Sequence, residues 1–455
     1  MSRLGQTRKR QGNRRDFART AVLAGASWLT FPDVLRHRAA AAGSRGNPPD
    51  TAVIQIFLSG GPSQFETYDP KPDAPVEYRG EFRPISTNVP GIDICETLPR
   101  QAAIMDKLAL VRSVHHDTTI HYDGMFLCLT GKRYKGEPSV GSITARQRGP
   151  NASGMPPYVR FGNTPRAPIV EYEENHKASY LGKRYDFFKV FFDPQGRYEL
   201  PNLALQQGLP LARVADRHAL AQQFDRLRKI MDTSGEAEAM DDFQRMAFDM
   251  IANPQVREAF DLNCERDILR DRYGRTPWCS NGRRETRYQW GQAALLARRL
   301  VEAGVTFVTL DCDIRGGAFD AHQDQPRYMR ETGEPMDAMI SALVEDLHDR
   351  GLNDKVLVLI WGEFGRTPKI NNEAGRDHWP SVMSVALAGG GLRTGQVIGA
   401  SNSRGEVPLQ RPLKPEDVLA TVYRHLGIDP TTSFLNHAGR PIPILFDGEP
   451  IHELL

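Results

Sequence analysis

Three short segments, far apart along the chain, combine histidine with acidic residues. The chain holds only 12 histidines among its 455 residues, so this clustering calls for an explanation. Neutral imidazole and carboxylate groups are ligands that suit Zn, Mn or Fe. The sequence therefore predicts metal or anion contacts here, provided that the fold brings the segments together. The segments are His115-His116-Asp117 with His121 and Asp123, then Asp320-Ala321-His322, and finally Asp377-His378.

Each segment follows a short apolar run of the kind that forms a buried strand. The runs are Leu108–Ser113, Val305–Leu310 and Val356–Trp361. In an open α/β sheet, ligands bind beyond the carboxyl ends of the strands. The pattern therefore predicts that the histidine segments lie together at one edge of a central sheet. Asp320 and His322 are two residues apart and can face one point if the backbone is extended.

The run Val356–Trp361 leads into the richest of the polar segments. Its apolar character stops at Gly362, and Glu363 and Arg366 follow before the Asp-His pair. A carboxylate and a guanidinium are thus delivered to the edge where sites form. A capped loop with surface salt bridges would show the same residue types, so both interpretations stay open.

The first strand, predicted over Ala52–Leu58, runs into Ser59-Gly60-Gly61-Pro62-Ser63. Backbone amides at such glycines can approach an anion. We therefore assign both glycines to substrate binding, together with His115 and His116. Glycines also form ordinary turns, which is the alternative interpretation of this segment.

Strand-like runs alternate with helical patterns along most of the chain. This alternation predicts an α/β fold with a doubly wound, largely parallel central sheet and helices on both faces. A single domain is expected over residues 52–455, with an insertion or cap over about residues 132–210, where prolines and aromatic pairs interrupt the pattern. The other predicted elements include helices over Leu211–Asn253, Met336–Arg350 and Lys414–Leu426 and a strand over Val382–Ala388.

The first 42 residues are typical of a twin-arginine export signal. Arg14-Arg15-Asp16-Phe17 follows a basic stretch, a modest apolar segment runs from Thr20 to Phe31, and small residues precede a cleavage site near Ala42. A polar linker is expected over residues 43–51. The signal predicts the twin-arginine translocase as a partner and a periplasmic or secreted mature protein.

Composition excludes several classes of partner. The formal net charge is only +2, and no basic stripe with interleaved aromatic residues is present, so we expect no nucleic-acid partner. No apolar stretch of about 18 residues occurs, so we expect no stable membrane span. The five cysteines are scattered and include no CxxC pair, which argues against a zinc ribbon or a disulfide scaffold.

Several motifs together resemble a bacterial domain-of-unknown-function family of exported, sulfatase-like proteins in the alkaline phosphatase-like superfamily. They span most of the mature chain, and the closing helix also looks like that of sulfatases. The motifs are FLSGGPSQFETYDPKPDAP, RSVHH with LTGKRY, FDAHQD, GEFGRTPKIN, GRDHWP, GGGLRTGQVIGA and PEDVLATVYRHLGIDP.

The resemblance implies an alkaline phosphatase/sulfatase-like fold, a metal site at the strand ends and a nucleophile that attacks a sulfate or phosphate ester. In the sulfatase motif the nucleophile lies ten positions before the glycine, and that position here is His121. Ser63 and Thr119 are the alternative nucleophiles. The metal-binding Asp that usually ends the first strand is replaced by Ser59 and Gly60.

Two hypotheses follow from these residues. The first is an exported metal-dependent hydrolase of sulfate or phosphate esters, acting on a small-molecule or glycan ester with a divalent metal such as Zn, Mn or Ca. In this hypothesis, the guanidinium of Arg366 binds the anion in a bidentate manner, and water activated at the metal attacks the ester. The metal ligands are Asp320, His322, Asp377 and His378, and the catalytic set is His121, Glu363, Arg366 and Ser63.

The second hypothesis is a binding or scaffolding protein that keeps the fold and an anion or glycan pocket without turnover. The missing first-strand Asp and the histidine at the nucleophile position favour it. Both hypotheses need the imidazoles of His116, His322 and His378 to converge on one pocket above the sheet.

Overall fold

The computed structural model describes residues 50–162, 173–192, 198–199, 253–275, 278–279, 287–288, 290–312 and 319–455. Residues 50–455 form one compact unit. The export signal predicted over residues 1–42, nearly all of the linker predicted over residues 43–51 and nearly all of the helix predicted over Leu211–Asn253 lie outside the described residues.

In the described part of the chain, nine strands form a central sheet in the order β9-β2-β8-β7-β1-β6-β3-β4-β5. Strands β8 and β5 run antiparallel to their neighbours, and the other pairings are parallel. The strands are β1 Ala52–Phe57, β2 Leu108–Val114, β3 Tyr158–Gly162, β4 Phe188–Phe192, β5 Tyr198–Glu199, β6 Phe307–Asp311, β7 Val356–Trp361, β8 Met383–Gly389 and β9 Gln396–Ile398.

Helices cover both faces of this sheet, so the predicted α/β class with a largely parallel sheet is confirmed. The helices are α1 Val76–Arg79, α2 Pro99–Ala102, α3 His121–Thr130, α4 Val140–Arg148, α5 Pro254–Phe260, α6 Asp267–Tyr273, α7 Trp290–Glu302, α8 Gln325–Asp349 and α9 Pro415–His425. Short 3-10 turns span Met105–Lys107, Ser179–Leu181, Lys183–Tyr185, Leu262–Cys264 and His452–Leu454.

Alternating apolar side chains make the two faces of the sheet. On β7, Val358 and Ile360 join a core formed with α7 and α8. Leu357, Leu359 and Trp361 point to the opposite face, where they join a core formed with α3, α4 and α9. Because side chains alternate along a strand, an unbroken apolar run is what a sheet covered on both faces requires.

The direction of β8 decides where the Asp-His segment lies. Phe57 at the end of β1 pairs with Asp311 and with Trp361, so the carboxyl ends of β1, β6 and β7 share one edge. Strand β8 runs the other way beside β7, so the residues that precede it lie at that same edge. His378 and Trp379 there pair with Gly365 and Arg366 in a two-stranded ribbon.

The other two-stranded ribbons lie outside the central sheet. They join Pro84–Ser86 to Asp93–Cys95, Trp278–Cys279 to Arg287–Tyr288, Ala400–Ser401 to Pro408–Gln410, and Ser433–Leu435 to Pro441–Pro443.

Two predicted boundaries need correction. The segment predicted as an insertion or cap over residues 132–210 does not form a separate body in its described part, because β3, β4 and β5 are strands of the central sheet. Helix α8 begins at Gln325 rather than at Met336 and continues through Pro335. Buried Met329 and Thr332 pack the added part, which offsets the backbone hydrogen bond that proline cannot donate.

None of the helices in the described ranges combines the length and the apolar character that crossing a bilayer requires. The longest of them, α8, is 25 residues long and packs on α7 through one buried face.

Gly375, in the loop before β8, allows this loop to pack closely against the loop after β6 that carries His322. A Cβ atom added to Gly375 would lie 1.8 Å from the carbonyl oxygen of His322, closer than any real contact. We therefore expect Gly375→Ala to separate the loops and to lower the free energy of unfolding by about 2–3 kcal/mol. The midpoint of urea unfolding measures this loss.

Gly439→Ala is the matched control for this substitution. Gly439 has a positive φ of 71° but no neighbour within 4 Å of an added Cβ, so only backbone strain of about 1–2 kcal/mol is expected. A midpoint for Gly375→Ala above that of Gly439→Ala would contradict the close packing of the two loops.

Candidate metal centre

One carboxylate oxygen, Asp320 Oδ1, is the point where the three histidine-bearing segments meet. The Nε2 atoms of His121, His322 and His378 lie 3.3, 3.0 and 3.2 Å from it. Within the described ranges, His121, Asp320 and His378 are the one group of histidine, cysteine and acidic residues whose ligand atoms are close enough to share a metal ion. His322 is not in this group of three, but its Nε2 lies 3.0 Å from Asp320 Oδ1 and 3.0 Å from His378 Nε2. We call these four side chains the histidine cluster.

Each imidazole of the histidine cluster is anchored from behind through its Nδ1 atom. The acceptors are Glu363 Oε1 for His121 at 2.5 Å, Asp377 Oδ1 for His322 at 2.6 Å and the Thr119 carbonyl for His378 at 2.7 Å. A carbonyl or an ionised carboxylate can only accept, so the proton of a neutral ring sits on Nδ1. The Nε2 lone pairs then face the centre, as they do in histidine ligands of metals.

The atoms of the histidine cluster fit a cation better than they fit one another. The Nε2 atoms of His322 and His378 are 3.0 Å apart, and both adjoin the carboxylate of Asp320. Unprotonated nitrogens and a carboxylate oxygen all accept and repel one another unless a proton or a cation lies between them. Ligands at 2.0–2.1 Å from a tetrahedral Zn²⁺ would be about 3.3 Å apart, which is close to the separations seen here.

The electrostatic surroundings keep Asp320 ionised. Burial alone would raise its pKa, but the adjoining imidazoles of His121 and His378 and the charge of Arg366 hold the pKa well below its usual range. The Nη2 atom of Arg366 lies 2.6 Å from Asp320 Oδ1. The centre therefore offers a full negative charge to a cation at neutral pH.

Arg366 does not have the role predicted from the sequence. Its side chain is fully buried, and each guanidinium nitrogen already has a partner inside the protein. These partners are the carbonyl oxygens of Gly60, Gly61 and Arg376 and the carboxylate of Asp320. Arg366 therefore orients Asp320 and the glycine loop. Four of its five N–H donors are used, and the one that is left, on Nη1, is too few for a bidentate contact with a substrate anion.

The glycine loop after β1 also faces the protein rather than a ligand. The amide of Gly60 donates to Glu363 Oε1 at 2.8 Å, and its carbonyl and that of Gly61 accept from Arg366. The predicted anion contact of Gly60 is thus made with the carboxylate of Glu363, which is itself the anchor of His121. The second oxygen of Glu363, Oε2, is buried without a hydrogen-bond partner.

Neither of the paired histidines enters the histidine cluster, so the expected convergence of His116 is wrong. His116 Nε2 donates to the Glu363 carbonyl at 2.6 Å and its Nδ1 accepts from the Thr118 amide, so both ring nitrogens bind backbone behind the site. His115 lies beside charged residues near the start of α9, and its pKa is lowered by burial and by Lys414. His121, five residues further along, takes the place expected of His116.

The two alternative nucleophiles differ in exposure. Ser63 is buried, and its hydroxyl oxygen has no hydrogen-bond partner among the described residues. Thr119 is exposed, and its carbonyl accepts the proton of His378. Only Thr119 therefore lies next to the cluster with a side chain that solvent can reach.

Sequence reasoning missed two residues that hold the site in place. Arg376 is fully buried and donates to Glu66 and to the carbonyls of Tyr78, Thr367 and Pro368. Asn371 donates to the His322 carbonyl at 2.9 Å. The signal for Arg376 was its place directly before Asp377-His378 in GRDHWP. A buried arginine at this place holds the backbone that carries the Asp-His pair.

Comparison with known proteins identifies a family over the described domain. The family described as "Protein of unknown function (DUF1501)" matches residues 50–455. No curated protein sequence matches the chain. The match confirms the resemblance to a domain-of-unknown-function family, whereas export stays a prediction.

Solved structures similar to this chain include enzymes of known class. The PsFucS1 sulfatase from Pseudoalteromonas sp. is 13% identical with a TM-score of 0.39, over 90% of this chain and 72% of that chain. An alkaline phosphatase superfamily protein from Vibrio parahaemolyticus is 8% identical with a TM-score of 0.38, over 85% and 70%. The phosphonate monoester hydrolase of Agrobacterium radiobacter is 11% identical with a TM-score of 0.36, over 88% and 78%. Such low values transfer no activity.

A pH dependence of stability follows from His121 when a chelator keeps cations away. Burial would lower its pKa, but the adjacent carboxylates of Asp320 and Glu363 raise it to about 9. The folded chain then binds this proton more tightly than the unfolded chain does, whose His pKa is about 6.5. The stabilisation is complete below pH 6.5 and is lost as the pH rises through 9.

We therefore expect chelator-treated protein to lose on the order of 1–3 kcal/mol of unfolding free energy between pH 6.5 and 9 through this residue. Urea unfolding at a series of pH values measures the slope. His121→Asn should flatten it, whereas the exposed His437→Asn should not. Equal slopes for His121→Asn and the parent would show that His121 is not a proton bridge between the two carboxylates.

Proposed function

The chain belongs to the DUF1501 family of proteins of unknown function, and we propose that it is a metal-dependent hydrolase of sulfate or phosphate esters. The observation that carries this proposal is the convergence of three anchored imidazoles on the ionised carboxylate of Asp320. Structural sites of a folded protein rarely aim several acceptor atoms at one another, whereas metal sites require that arrangement.

The residues that would hold the divalent cation are His121, His322, His378 and Asp320. When bound, such a cation supplies Lewis-acid polarisation of an ester oxygen. In this assignment, one residue of the predicted ligand set, Asp377, is replaced by His121. Asp377 stands behind His322 as its hydrogen-bond acceptor, and His121 takes the place among the ligands.

The protein itself orients these groups and limits the direction of approach. Glu363, whose side chain is 1% exposed, closes the inner side of the histidine cluster behind His121. On the outer side, the side chains of His322 and Asp377 are 44% and 52% exposed. An ester would therefore enter from the side of His322, where the leaving group can pass directly into solvent.

Water is the nucleophile in this proposal. His121 occupies the position that holds the nucleophile in the sulfatase motif, but here it is held between Glu363 and Asp320. Ser63 is buried with no base in hydrogen-bond contact. The solvent-exposed carboxylate of Asp377 lies on the side of entry, where it can accept a proton from an attacking water.

A non-catalytic anion-binding or glycan-binding protein is the second candidate. The observation that favours it is the full burial of Arg366, whose donors are directed mainly at Asp320 and at backbone carbonyls rather than at a transition-state oxyanion. Such a protein would use the same histidine cluster to bind a cation and an anion without turnover.

Metal content and turnover of single-site variants decide between these candidates. For the purified parent protein we expect about one divalent ion per chain by elemental analysis and hydrolysis of 4-nitrophenyl sulfate or 4-nitrophenyl phosphate. His322→Ala and Asp320→Ala should lose the ion and at least about 100-fold in kcat/KM, because a vacant ligand position weakens both binding and orientation. Exposed His437→Ala should keep both properties.

Three outcomes can be told apart in this experiment. Bound metal without turnover of any ester supports the binding protein. Turnover that survives the loss of metal contradicts the hydrolase as proposed. Full metal content in His322→Ala would remove that residue from the ligand set.

Export by the twin-arginine route is part of the same proposal. It rests on Arg14-Arg15 and on the segment that follows them. Arg14→Lys combined with Arg15→Lys should leave the protein in the cytoplasm at precursor length, whereas Arg8→Lys with Arg10→Lys should not. Cell fractionation with immunodetection measures this, and normal export of the Arg14/Arg15 variant would rule out the route.

A further inference from the structure

The charges around the histidine cluster are unbalanced. Asp320, Glu363 and Asp377 bring three carboxylates into hydrogen-bond contact with its imidazoles. Arg366 is the single guanidinium paired with them, through Asp320. With neutral imidazoles the centre therefore carries two negative charges in excess, which one divalent cation would cancel.

The neighbouring charges form pairs of their own and do not change this balance. On the side of β6, Asp311 accepts from Arg160 at 2.6 Å. On the side of the loop before β8, Glu66 accepts from Arg376 at 2.8 Å. Arg160 also lies 3.8 Å from Glu173, which pairs with Lys189, so the opposite charges of these groups balance and contribute little net field at the centre.

The exposed charges near the start of α3, beside the histidine cluster, are also paired. Asp117, near the start of α3, pairs with Arg133, and both side chains are more than half exposed. Opposite charges that are this exposed are screened by solvent and salt. These pairs thus add no excess positive charge beside the cluster, and such charge would come from the cation itself.

Resting on the proposed function, we propose that the site takes esters whose reacting group carries a single negative charge. Sulfate monoesters and phosphate diesters share this charge, whereas a phosphate monoester is a dianion above its second pKa of about 6. Sites that bind dianions supply additional arginine or lysine donors. Here four of the five N–H donors of Arg366 are already used by backbone and by Asp320.

Substrate ionisation gives a direct test. The ratio of kcat/KM for 4-nitrophenyl phosphate to that for 4-nitrophenyl sulfate should fall at least about tenfold between pH 5 and pH 8, as the phosphate becomes a dianion. Taking the ratio cancels titration of groups on the protein, because both substrates meet the same enzyme at each pH. Bis(4-nitrophenyl) phosphate, a monoanion throughout, distinguishes diester from sulfate as the preferred monoanion.

Binding to metal-loaded protein tests the same inference without turnover. At pH 8, methyl sulfate should bind at least about tenfold more tightly than methyl phosphate by calorimetry, and the difference should shrink at pH 5. The inference is overturned if the phosphate-to-sulfate ratio of kcat/KM does not change with pH. It is also overturned if methyl phosphate binds as tightly as methyl sulfate at pH 8. Selective binding without hydrolysis would leave the inference standing and refute the hydrolase, so the two failures are distinguishable.

Two charge-removing substitutions sharpen the result. Glu363→Gln and Asp377→Asn each delete one negative charge and should raise the phosphate-to-sulfate ratio at pH 8 by about tenfold. Glu334→Gln on α8 is the control, since its side chain is 70% exposed and it pairs with Arg100 away from the centre. Thermal unfolding checks that each variant is folded, and an equal change of the ratio in all three variants would contradict the local charge argument.

Discussion

The site depends on one ionised oxygen, Asp320 Oδ1, shared by an arginine and three imidazoles. A carboxylate that is even half-buried, as this one is, is costly unless several donors or a cation surround it. Arg366 supplies a permanent positive charge from the protein side, and its Nε and Nη2 atoms also donate to the backbone of the glycine loop. The same guanidinium therefore fixes the carboxylate and the loop after β1, so the centre and the sheet edge are held as one unit.

The reversed strand is the second constraint, because it delivers the third histidine. Had β8 run parallel to β7, the residues before it would lie at the opposite edge of the sheet. With β8 antiparallel, His378 arrives beside Asp320, and the ribbon with Gly365 and Arg366 fixes its register. Buried Arg376, bonded to Glu66 and to loop carbonyls, then stiffens the turn that carries the Asp-His pair.

Sequence reasoning was most informative where local chemistry decides the outcome. Unbroken apolar runs such as Val356–Trp361 predicted the buried strands and the edge at which polar residues follow them. It could not decide between His116 and His121, because this depends on where α3 begins and how closely it packs against Glu363. It also misjudged Arg366, since residue type alone cannot distinguish a guanidinium turned inward, onto backbone carbonyls, from one that faces a ligand.

The guanidiniums that frame the site and the polar atoms at its centre differ in the number of partners they have. In the frame, the guanidiniums of Arg366 and Arg376 bind several carbonyls each. In the centre, His121 Nε2 and Glu363 Oε2 are buried without a well-aligned partner. Folded proteins satisfy nearly all buried polar atoms, and two unpaired atoms on the adjoining side chains of His121 and Glu363 are what a centre arranged for a bound group would show. The hydrolase and the binding protein share this requirement and differ on the open side, at His322 and Asp377, where solvent and substrate would meet.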